Sequence, residues 1–586
     1  MKVDLTKVPY ELNEEKIEWV ESTLKSLTID EKIKQLFVCL TNTKEEESLI
    51  ELTKQCQFGG VRYNPLSSKD LYNHNKVLQE NSKLPVLICA NTENGGNGAC
   101  KDGTEIGNET KVAATNNKTY AYSLGKVSAR EARACGVNVV FAPIVDIHRN
   151  FHNPVISTRT FGNDPIRVRD MSLEYLKACQ EEGILACAKH FPGDGCDERD
   201  QHLASSTNPC SCEEWDKTYG MVYQSLIDKK LPMIMAGHIK LPSYQKHFDK
   251  DFDDSKIRPA TTCKELITDL LKGKMGFNGL VVTDATHMVA LTSSMKRSEF
   301  LPAIINAGCD MILFYNDFEE DMKYMRDAYD NDVLKEERID DAVRRILGLK
   351  AKLGLDTKDR SSIMPDERGL QIVGCTLHKE YANEVAKKAI TLVKNLDADA
   401  LPLDPKKDKR ILLVVQKDEN PFKMFLPKGM PTIFDYLKGK LEEEGFEVEI
   451  FTSLMDKIQS MPPKEAMSAV NNVYGNKTPV RDLTSNYDVI IQVADFMSHN
   501  TVQRISWKLS KGTADVPWYV HELKTIFISL NCPFHLFDVP QVRTYINCYD
   551  KNKVTIDHLV NKLVGKEEFE GVSPVDAFCG CVDTKY

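Results

Sequence analysis

The chain has 586 residues, which is too long for one ordinary hydrophobic core and predicts two domains, or at most three. Hydrophobic residues make up 42% and charged residues 28%, the balance of a soluble globular protein, and the net charge of −10 argues against a nucleic-acid partner. The first residues are charged and lack the apolar stretch of a signal peptide, and no apolar run reaches the roughly 18 residues of a membrane helix.

The seventeen cysteines are scattered along the chain, and several of them, such as Cys89 and Cys309, lie inside apolar runs. This placement favours buried free thiols in a reducing compartment over a disulfide framework. We therefore expect a cytoplasmic protein without a membrane or nucleic-acid partner, either a monomer or a homodimer.

Between about residues 15 and 350, short apolar runs alternate with amphipathic stretches of helical period. Continuous apolar runs of this kind are typical of parallel strands that are buried on both faces. Eight of them separated by helices predict an α/β fold with a (β/α)8 TIM-type barrel; a doubly wound parallel sheet is the alternative. The predicted strands are KQLFVCL, GGVRYN, PVLICAN, NVVFAPIVD, GILACAKH, LPMIMAGH, GLVVTDA and CDMILFY.

The alternation breaks after VRRILGLKAKLGL, where the polar segment DTKDRSSIMPDERG contains glycine and proline. Four further strands are predicted after it: RILLVVQ, FEVEIF, DVIIQVA and KTIFISLN. We therefore expect a catalytic barrel over residues 1–355, a linker over 356–375, and a smaller α/β sandwich domain over 376–586.

Polar and charged side chains stand where the apolar strands end. Asn91 follows the third strand, Asp146 ends the fourth, Lys189 and His190 end the fifth, and Asp284 ends the seventh. In a barrel of this type, the C-terminal ends of the strands and the loops after them hold the catalytic groups. The pattern therefore predicts an active site at this rim.

Asp284 follows the apolar segment GLVVT. A carboxylate at the end of a buried strand has to be paired or used, because burying it alone is unfavourable. In a sugar-binding site it can attack an anomeric carbon and form a glycosyl ester. The alternative is a structural ion pair with a lysine or arginine of the barrel.

The loop after the fifth strand contains PGDGCDERDQH, which has two glycines and a proline and no apolar periodicity. Asp200 and His202 are separated by one residue there, so an extended backbone would place both side chains on the same side. The carboxylate can then hold one imidazole nitrogen and leave the other to exchange a proton near neutral pH. A surface loop with incidental acidic residues is the alternative.

Three segments carry a resemblance to a known family. They are NPVISTRTFGNDPIRV after the fourth strand, AKHFPGDGCDERDQH at the fifth, and RPATTCKELITDLLKGKMGFNGLVVTDATHM at the seventh. In this order they resemble glycoside hydrolase family 3, and within it the β-N-acetylglucosaminidase branch. The resemblance covers about residues 20–350, and AKKAITLVKN, ALPL and SLNCPF are more weakly similar to the second domain of two-domain members.

The resemblance implies a retaining mechanism with no metal and no organic cofactor. It implies that Asp284 is the nucleophile and that the Asp200–His202 pair is the acid/base. Most retaining glycosidases use a second carboxylate for that purpose. A histidine repels an anionic acceptor less than a carboxylate does, so phosphate can replace water in some relatives.

The resemblance also implies which residues hold the sugar that is cleaved off. It assigns the hydrogen bonds around the reacting end to Lys189, His190 and Arg159. The segment that begins at Asn91 is the one that normally contacts the hydroxyls far from the reacting carbon.

The sequence departs from the family pattern in four places. Asn91 stands where the family has aspartate, and the motif that it begins contains one additional residue. The arginine expected shortly after that motif is absent, and NGACKDG stands there instead. Asp194 replaces a common histidine, and His287 replaces a small residue.

The sequence thus predicts a retaining exo-β-glycosidase, specifically a β-N-acetylhexosaminidase that acts on short oligosaccharides or simple glycosides. A β-glycoside phosphorylase, a β-glucosidase and a β-N-acetylgalactosaminidase on the same scaffold are alternatives. A catalytically silent carbohydrate-binding protein is a further alternative from another class.

Overall fold

The computed structural model describes residues 2–41, 43–249, 251–357, 359–417, 431–453, 457–458, 461–471, 479–496, 504–507 and 514–586. The chain forms two compact units. The first comprises Met1–Glu109 and Asn117–Ala382, and the second comprises Thr110–Asn116 and Asn383–Tyr586.

The first unit contains a closed barrel of eight parallel strands, in which each strand pairs with the one before it and the last pairs with the first. Every strand overlaps one of the eight predicted apolar runs, so the predicted TIM-type barrel is confirmed and the doubly wound sheet is wrong. The strands are β1 Phe37–Thr41, β2 Gly60–Tyr63, β3 Leu87–Ala90, β4 Val139–Val140, β5 Leu185–Phe191, β6 Met233–Ala236, β7 Leu280–Ala285 and β8 Met311–Leu313.

Helices occupy the connections between these strands. The α-helices of this region are α1 Glu14–Ser26, α2 Ile29–Gln35, α3 Glu46–Cys56, α4 Ser68–Asn81, α5 Glu109–Ala114, α6 Thr119–Ala134, α7 Pro165–Glu181, α8 Cys212–Trp215, α9 Met221–Asp228, α10 Pro242–Phe248, α11 Val289–Thr292, α12 Arg297–Ala307, α13 Phe318–Asp330 and α14 Glu336–Lys352. Segments Asp216–Gly220 and Glu265–Lys274 are π-helical. Short 3₁₀ turns lie at Gly96–Gly98, Asp254–Lys256, Ala260–Thr262, Arg360–Ser362 and Glu367–Ile372.

Local sequence signals set where these helices begin. The α7 helix starts at Pro165, whose missing N–H is not needed in the first turn, and the Asp164 side chain accepts a hydrogen bond from the Ile166 N–H. At α2, Thr28 and Glu31 form a reciprocal capping box. These caps satisfy N–H groups that have no partner inside the helix.

The fourth strand is shorter than predicted, because Pro143 has no N–H to continue the ladder. The chain nevertheless stays against β5 beyond this point. The Lys189 N–H donates to the Pro143 carbonyl at 3.2 Å, and the Val145 N–H donates to the Lys189 carbonyl at 2.8 Å. Asp146 is therefore held beside the end of β5, although it lies outside regular strand structure.

The second unit contains a mixed sheet of six strands, in the order β9, β14, β13, β12, β10, β11. The β9 strand is antiparallel to β14 and the remaining pairs are parallel. Its strands are β9 Thr391–Asn395, β10 Arg410–Lys417, β11 Glu447–Ile450, β12 Val489–Asp495, β13 Lys524–Ser529 and β14 Thr544–Asn547. Four of these were predicted, and β9 and β14 were missed because their runs are short and contain polar residues.

Helices pack against this sheet through apolar side chains, among them Leu437 and Leu441 of one helix and Ile556 and Leu559 of another. The helices of the C-terminal region are α15 Thr376–Ala389, α16 Ile433–Glu443, α17 Pro463–Asn471, α18 Val480–Thr484 and α19 Lys553–Leu563, with 3₁₀ turns at His535–Phe537 and Asp583–Lys585. Throughout the residues that the structure describes, no helix is both long and apolar enough to cross a membrane.

A buried ion network lies at the N-terminal end of β8. Asp310 accepts hydrogen bonds from Lys272 Nζ at 3.0 Å and from the Val281 N–H at 2.9 Å, and it pairs with Arg338. Burial lowers the pKa of Lys272 to about 7, even though the Asp310 charge acts in the opposite direction. Through these hydrogen bonds and ion pairs, the Asp310 carboxylate links β7, β8 and α14.

Replacing Asp310 with asparagine keeps the size of the side chain and removes its charge. We expect the free energy of unfolding to fall by about 3–5 kcal/mol, the effect of removing one partner of a buried ion pair. Urea denaturation followed by tryptophan fluorescence measures the change. The matched control is Asp327→Asn, which breaks the exposed pair with Lys323 and should leave the free energy of unfolding nearly unchanged. Equal losses in the two variants would contradict the role of burial.

Candidate active site

Glu93 lies at the centre of an ion cluster above β3. Its carboxylate accepts hydrogen bonds from Arg159 Nε and Nη2, both at 2.9 Å, and from Lys189 Nζ at 2.6 Å. Burial opposes ionisation of Glu93, but the two cations outweigh it and hold its pKa well below the usual range. Glu93 therefore orients two cationic side chains that the sequence singled out for sugar binding.

Glu109 lies within electrostatic reach of this cluster, but its pKa is shifted in the opposite direction. It is fully buried, and burial raises its pKa well above the ordinary value. One of its oxygens accepts the Ile144 N–H at 2.8 Å, and the other has no hydrogen-bond partner among the described residues. The carboxylate that Arg159 and Lys189 contact is that of Glu93, not that of Glu109.

Asp146 orients His190 in the same way that Glu93 orients the cations. Its Oδ2 lies 2.7 Å from His190 Nδ1, and its Oδ1 accepts the backbone N–H groups of His190 at 3.2 Å and Asp194 at 2.7 Å. Because Nδ1 is bound to the carboxylate, Nε2 faces the interior of the rim. There it lies 4.0 Å from Asp284 Oδ2.

Asp284 ends β7 with its side chain 18% exposed. One oxygen accepts the Ala285 N–H at 2.8 Å. Burial acts to raise its pKa, but the neighbouring His190 and His238, the Ala285 N–H and Lys189 together lower the pKa below the ordinary value. The group is therefore an ionised, partly accessible carboxylate that no arginine or lysine contacts directly in the described part of the chain, which is the state required of a nucleophile.

The Asp200–His202 pair is present, although its backbone is not extended as the sequence suggested. The segment forms a turn, in which the Leu203 and Ala204 N–H groups donate to the Asp200 carbonyl. Asp200 Oδ1 binds both the His202 N–H at 2.8 Å and His202 Nδ1 at 2.6 Å. A carboxylate that bonds the backbone two residues ahead brings the side chains together as well as an extended strand would.

This contact sets the proton affinity of His202. The hydrogen bond to Asp200 raises the pKa of the imidazole above its ordinary value, and partial burial opposes the increase. Asp200 is buried, whereas the His202 side chain is 50% exposed. The Nε2 side of the ring is consequently free to give a proton to a bound molecule or to take one from it.

Several hydrogen bonds fix the loop that carries this pair. The carbonyls of Gln201 and His202 accept the N–H groups of Ala290 and Val289, both at 3.1 Å, at the start of α11. The Gln201 side chain accepts the His238 N–H at 2.9 Å. The loop after β5 is thereby tied to the segments that follow β6 and β7.

Asp194, one of the departures from the family pattern, also supports the loop. It accepts hydrogen bonds from Asn153 Nδ2 at 2.9 Å and from Gln201 Nε2 at 3.2 Å. Burial, together with the Asp146 charge, raises the pKa of Asp194 to about 6. Because Asp194 is buried and bonded to these two side chains, we assign it a supporting role rather than contact with a sugar.

All seven residues that the sequence singled out lie at one rim of the barrel. Six of them have side chains that make hydrogen bonds or close charge contacts there; they are Asp284, His202, Asp200, Lys189, His190 and Arg159. Asn91, the seventh, is exposed directly after β3 and makes no side-chain hydrogen bond among the described residues. Sequence reasoning missed Glu93 and the orienting role of Asp146. An acidic residue two positions after a predicted strand end was the available signal for Glu93.

This arrangement supplies an ionised carboxylate, a histidine with a free Nε2, and a set of oriented hydrogen-bond donors. Such groups suit the displacement of a leaving group from a polyhydroxylated ring. The described residues include no group of three or more His, Cys, Asp or Glu side chains placed to hold a metal ion.

Comparison with known proteins places the chain in a family. Residues 28–349 match the model of the glycosyl hydrolase family 3 N-terminal domain. A curated relative from Cellulomonas fimi, named β-N-acetylglucosaminidase/β-glucosidase, is 40% identical over 585 residues, which cover 99% of this chain and 100% of the relative. The chain belongs to glycoside hydrolase family 3.

Solved structures of the family extend the comparison. A β-glucoside phosphorylase is 38% identical with a TM-score of 0.89, and the match covers 99% of each chain. A family 3 β-N-acetylglucosaminidase from Paenibacillus sp. str. FPU-7 is 23% identical with a TM-score of 0.74, covers 94% of this chain and 99% of its own, and shows the fold alone. Relatives of this family 3 enzyme thus carry names from two reaction types.

We expect replacement of Asp200 by asparagine to lower the pKa of His202, because the variant loses the negative charge and its amide oxygen accepts only a weaker, neutral hydrogen bond from the imidazole. NMR titration of the imidazole measures this pKa without any need for turnover. The control is Glu198→Gln in the same loop, since Glu198 is exposed and lies 3.3 Å from His152. An unchanged or higher pKa in Asp200→Asn would refute the assigned interaction.

Proposed function

We propose that this chain is a retaining exo-β-glycosidase that removes a terminal β-linked N-acetylhexosamine and also accepts β-glucosides. The observation that carries the proposal is the joint placement of an ionised Asp284 and the hydrogen-bonded Asp200–His202 pair at one rim. The double name of the Cellulomonas fimi relative supports both sugar types.

In the first step, the Asp284 carboxylate attacks the anomeric carbon while His202 Nε2 gives its proton to the glycosidic oxygen. The bond between the anomeric carbon and that oxygen breaks, the aglycone leaves as an alcohol, and the sugar remains as an ester on Asp284. His202 is then neutral, with Nδ1 still held by Asp200.

In the second step, neutral His202 takes a proton from water as the water oxygen attacks the anomeric carbon. The ester bond breaks, Asp284 regains its charge, and His202 is protonated for the next cycle. Two displacements at the same carbon retain its configuration. We propose that Lys189, His190 and Arg159 hold the ring during both steps.

Substitution of Asp284 tests the nucleophile. We expect Asp284→Ala to lower kcat by at least about 10³-fold, since the variant lacks the carboxylate that is proposed to form the ester. In the wild type, a 2-deoxy-2-fluoro glycoside with a good leaving group should label the peptide that contains Asp284, detected by mass spectrometry. The exposed Asp327→Asn variant is the control and should be labelled normally. Full activity of Asp284→Ala, or label on another residue, would refute the assignment.

Substitution of His202 tests the acid/base through the leaving group. We expect His202→Ala to slow alkyl β-glycosides about 10²- to 10⁴-fold and dinitrophenyl β-glycosides far less, because only the poor leaving group needs a proton. Initial rates on both substrate types measure the difference, with the exposed His247→Ala as control. Similar losses on both types would rule out His202 as the acid.

Phosphorolysis is the second candidate function. The proposed acid/base favours it. In the second step His202 is neutral, whereas a carboxylate in its place would be negatively charged. An anionic acceptor such as phosphate is therefore not repelled. The β-glucoside phosphorylase that shares the fold over its whole length supports it. Product analysis by phosphorus NMR decides: formation of sugar 1-phosphate in phosphate buffer establishes phosphorolysis, and free sugar at an unchanged rate establishes hydrolysis.

A further inference from the structure

Arg62 is a cation inside the barrel that neither the sequence pattern nor the proposed steps use. Its neighbour Tyr63 points outward, because its hydroxyl donates to the Ala99 carbonyl at 3.0 Å and its ring packs near His74 of α4. Successive side chains of a strand face opposite sides. Arg62 therefore points into the barrel, beside Cys89, its register partner on β3.

The guanidinium of Arg62 has no ion-pair partner among the described residues. Its Nη1 is buried without a hydrogen bond, and the contact that is present is the Tyr63 ring, 5.7 Å from Cζ. Burial lowers the pKa of Arg62, and the neighbouring Tyr63, Cys89 and Glu93 act in the opposite direction. Glu93 itself is already occupied by Arg159 and Lys189.

The position of β2 in the barrel determines which part of a bound sugar lies near Arg62. In the ring of eight strands, β3 lies opposite β7, which carries Asp284, and β2 is the neighbour of β3. In a six-membered sugar ring, C4 lies opposite C1. When C1 is held at Asp284, the C4 and C6 substituents therefore point towards the side of the rim formed by β2 and β3.

In lacking an ion-pair partner among the described residues, Arg62 differs from the other two cations of the rim, because Arg159 and Lys189 share the Glu93 carboxylate. Neutral sugar hydroxyls can satisfy the unused N–H groups of Arg62.

We propose that Arg62 is a specificity-determining residue that donates hydrogen bonds to the C4 or C6 hydroxyl of the bound sugar, in place of the arginine that this sequence lacks after Gly96. This inference rests on the proposed function, because the orientation of the sugar follows from C1 lying at Asp284. It assigns the recognition of the far end of the ring to a strand residue rather than to the loop after β3.

The test measures binding and turnover separately. Glucose and its 4-deoxy and 6-deoxy forms are titrated calorimetrically into wild type, Arg62→Met and Arg62→Lys. We expect Arg62→Met to weaken glucose binding about 10- to 100-fold, the effect of losing a hydrogen bond to a charged group. It should weaken binding of at least one deoxy sugar much less, and Arg62→Lys should restore part of the affinity.

Thermal unfolding separates recognition from a structural role. A partly buried cation without an ion-pair partner is unfavourable, so Arg62→Met should unfold at the same temperature as wild type or at a higher one. A fall of several degrees, unchanged glucose affinity, or equal weakening for glucose and both deoxy sugars would overturn the inference.

Turnover of aryl β-glycosides by the same proteins distinguishes this inference from the proposed function. If glucose affinity does not change on substitution of Arg62 while turnover still requires Asp284, the role of Arg62 is refuted and the proposed function stands. If glucose affinity falls on substitution of Arg62 but the wild type does not turn over any aryl β-glycoside, sugar recognition by Arg62 is supported and the glycosidase function is refuted. If the wild type neither binds glucose nor turns over an aryl β-glycoside, the inference and the proposed function are both refuted.

Discussion

Closure of the eight-stranded parallel ladder is the constraint on which the site depends. Each strand bonds two neighbours, so no edge is left open and all eight strands run in the same direction. Their C-terminal ends consequently meet at one rim. Groups that are far apart in sequence, such as Glu93 and Lys189 or His190 and Asp284, become neighbours for that reason alone.

Several charged side chains lie close together in the partly buried rim. Their orientation is set by the ion pairs that compensate these charges. Glu93 holds Arg159 and Lys189, and Asp146 holds His190, each through short hydrogen bonds. Charge-assisted hydrogen bonds of this kind fix a side chain more firmly than contacts in water do. The site is thus organised before a sugar arrives, which lowers the cost of positioning it.

The two groups that we propose to be catalytic differ in proton affinity because their surroundings differ. Asp284 is surrounded by histidines and a lysine, which favour its ionised form, whereas His202 is bonded to a carboxylate, which favours its protonated form. A low pKa on the nucleophile and a raised pKa on the acid are what a retaining displacement needs. The turn that carries His202 is tied to α11 and His238, so its position depends on two other strand ends.

The sequence by itself determined the eight barrel strands and their polar ends, because the effects of apolar runs, glycines and prolines on the backbone are local. It therefore predicted the barrel, the Asp200–His202 contact and the rim position of Asp284. The pairing of Glu93 with Arg159 and Lys189, and of Asp146 with His190, was decided by the tertiary structure, because these contacts join loops of different strands. The inward direction of Arg62 was also decided there, because the outward contacts of Tyr63 show which face of β2 lines the barrel.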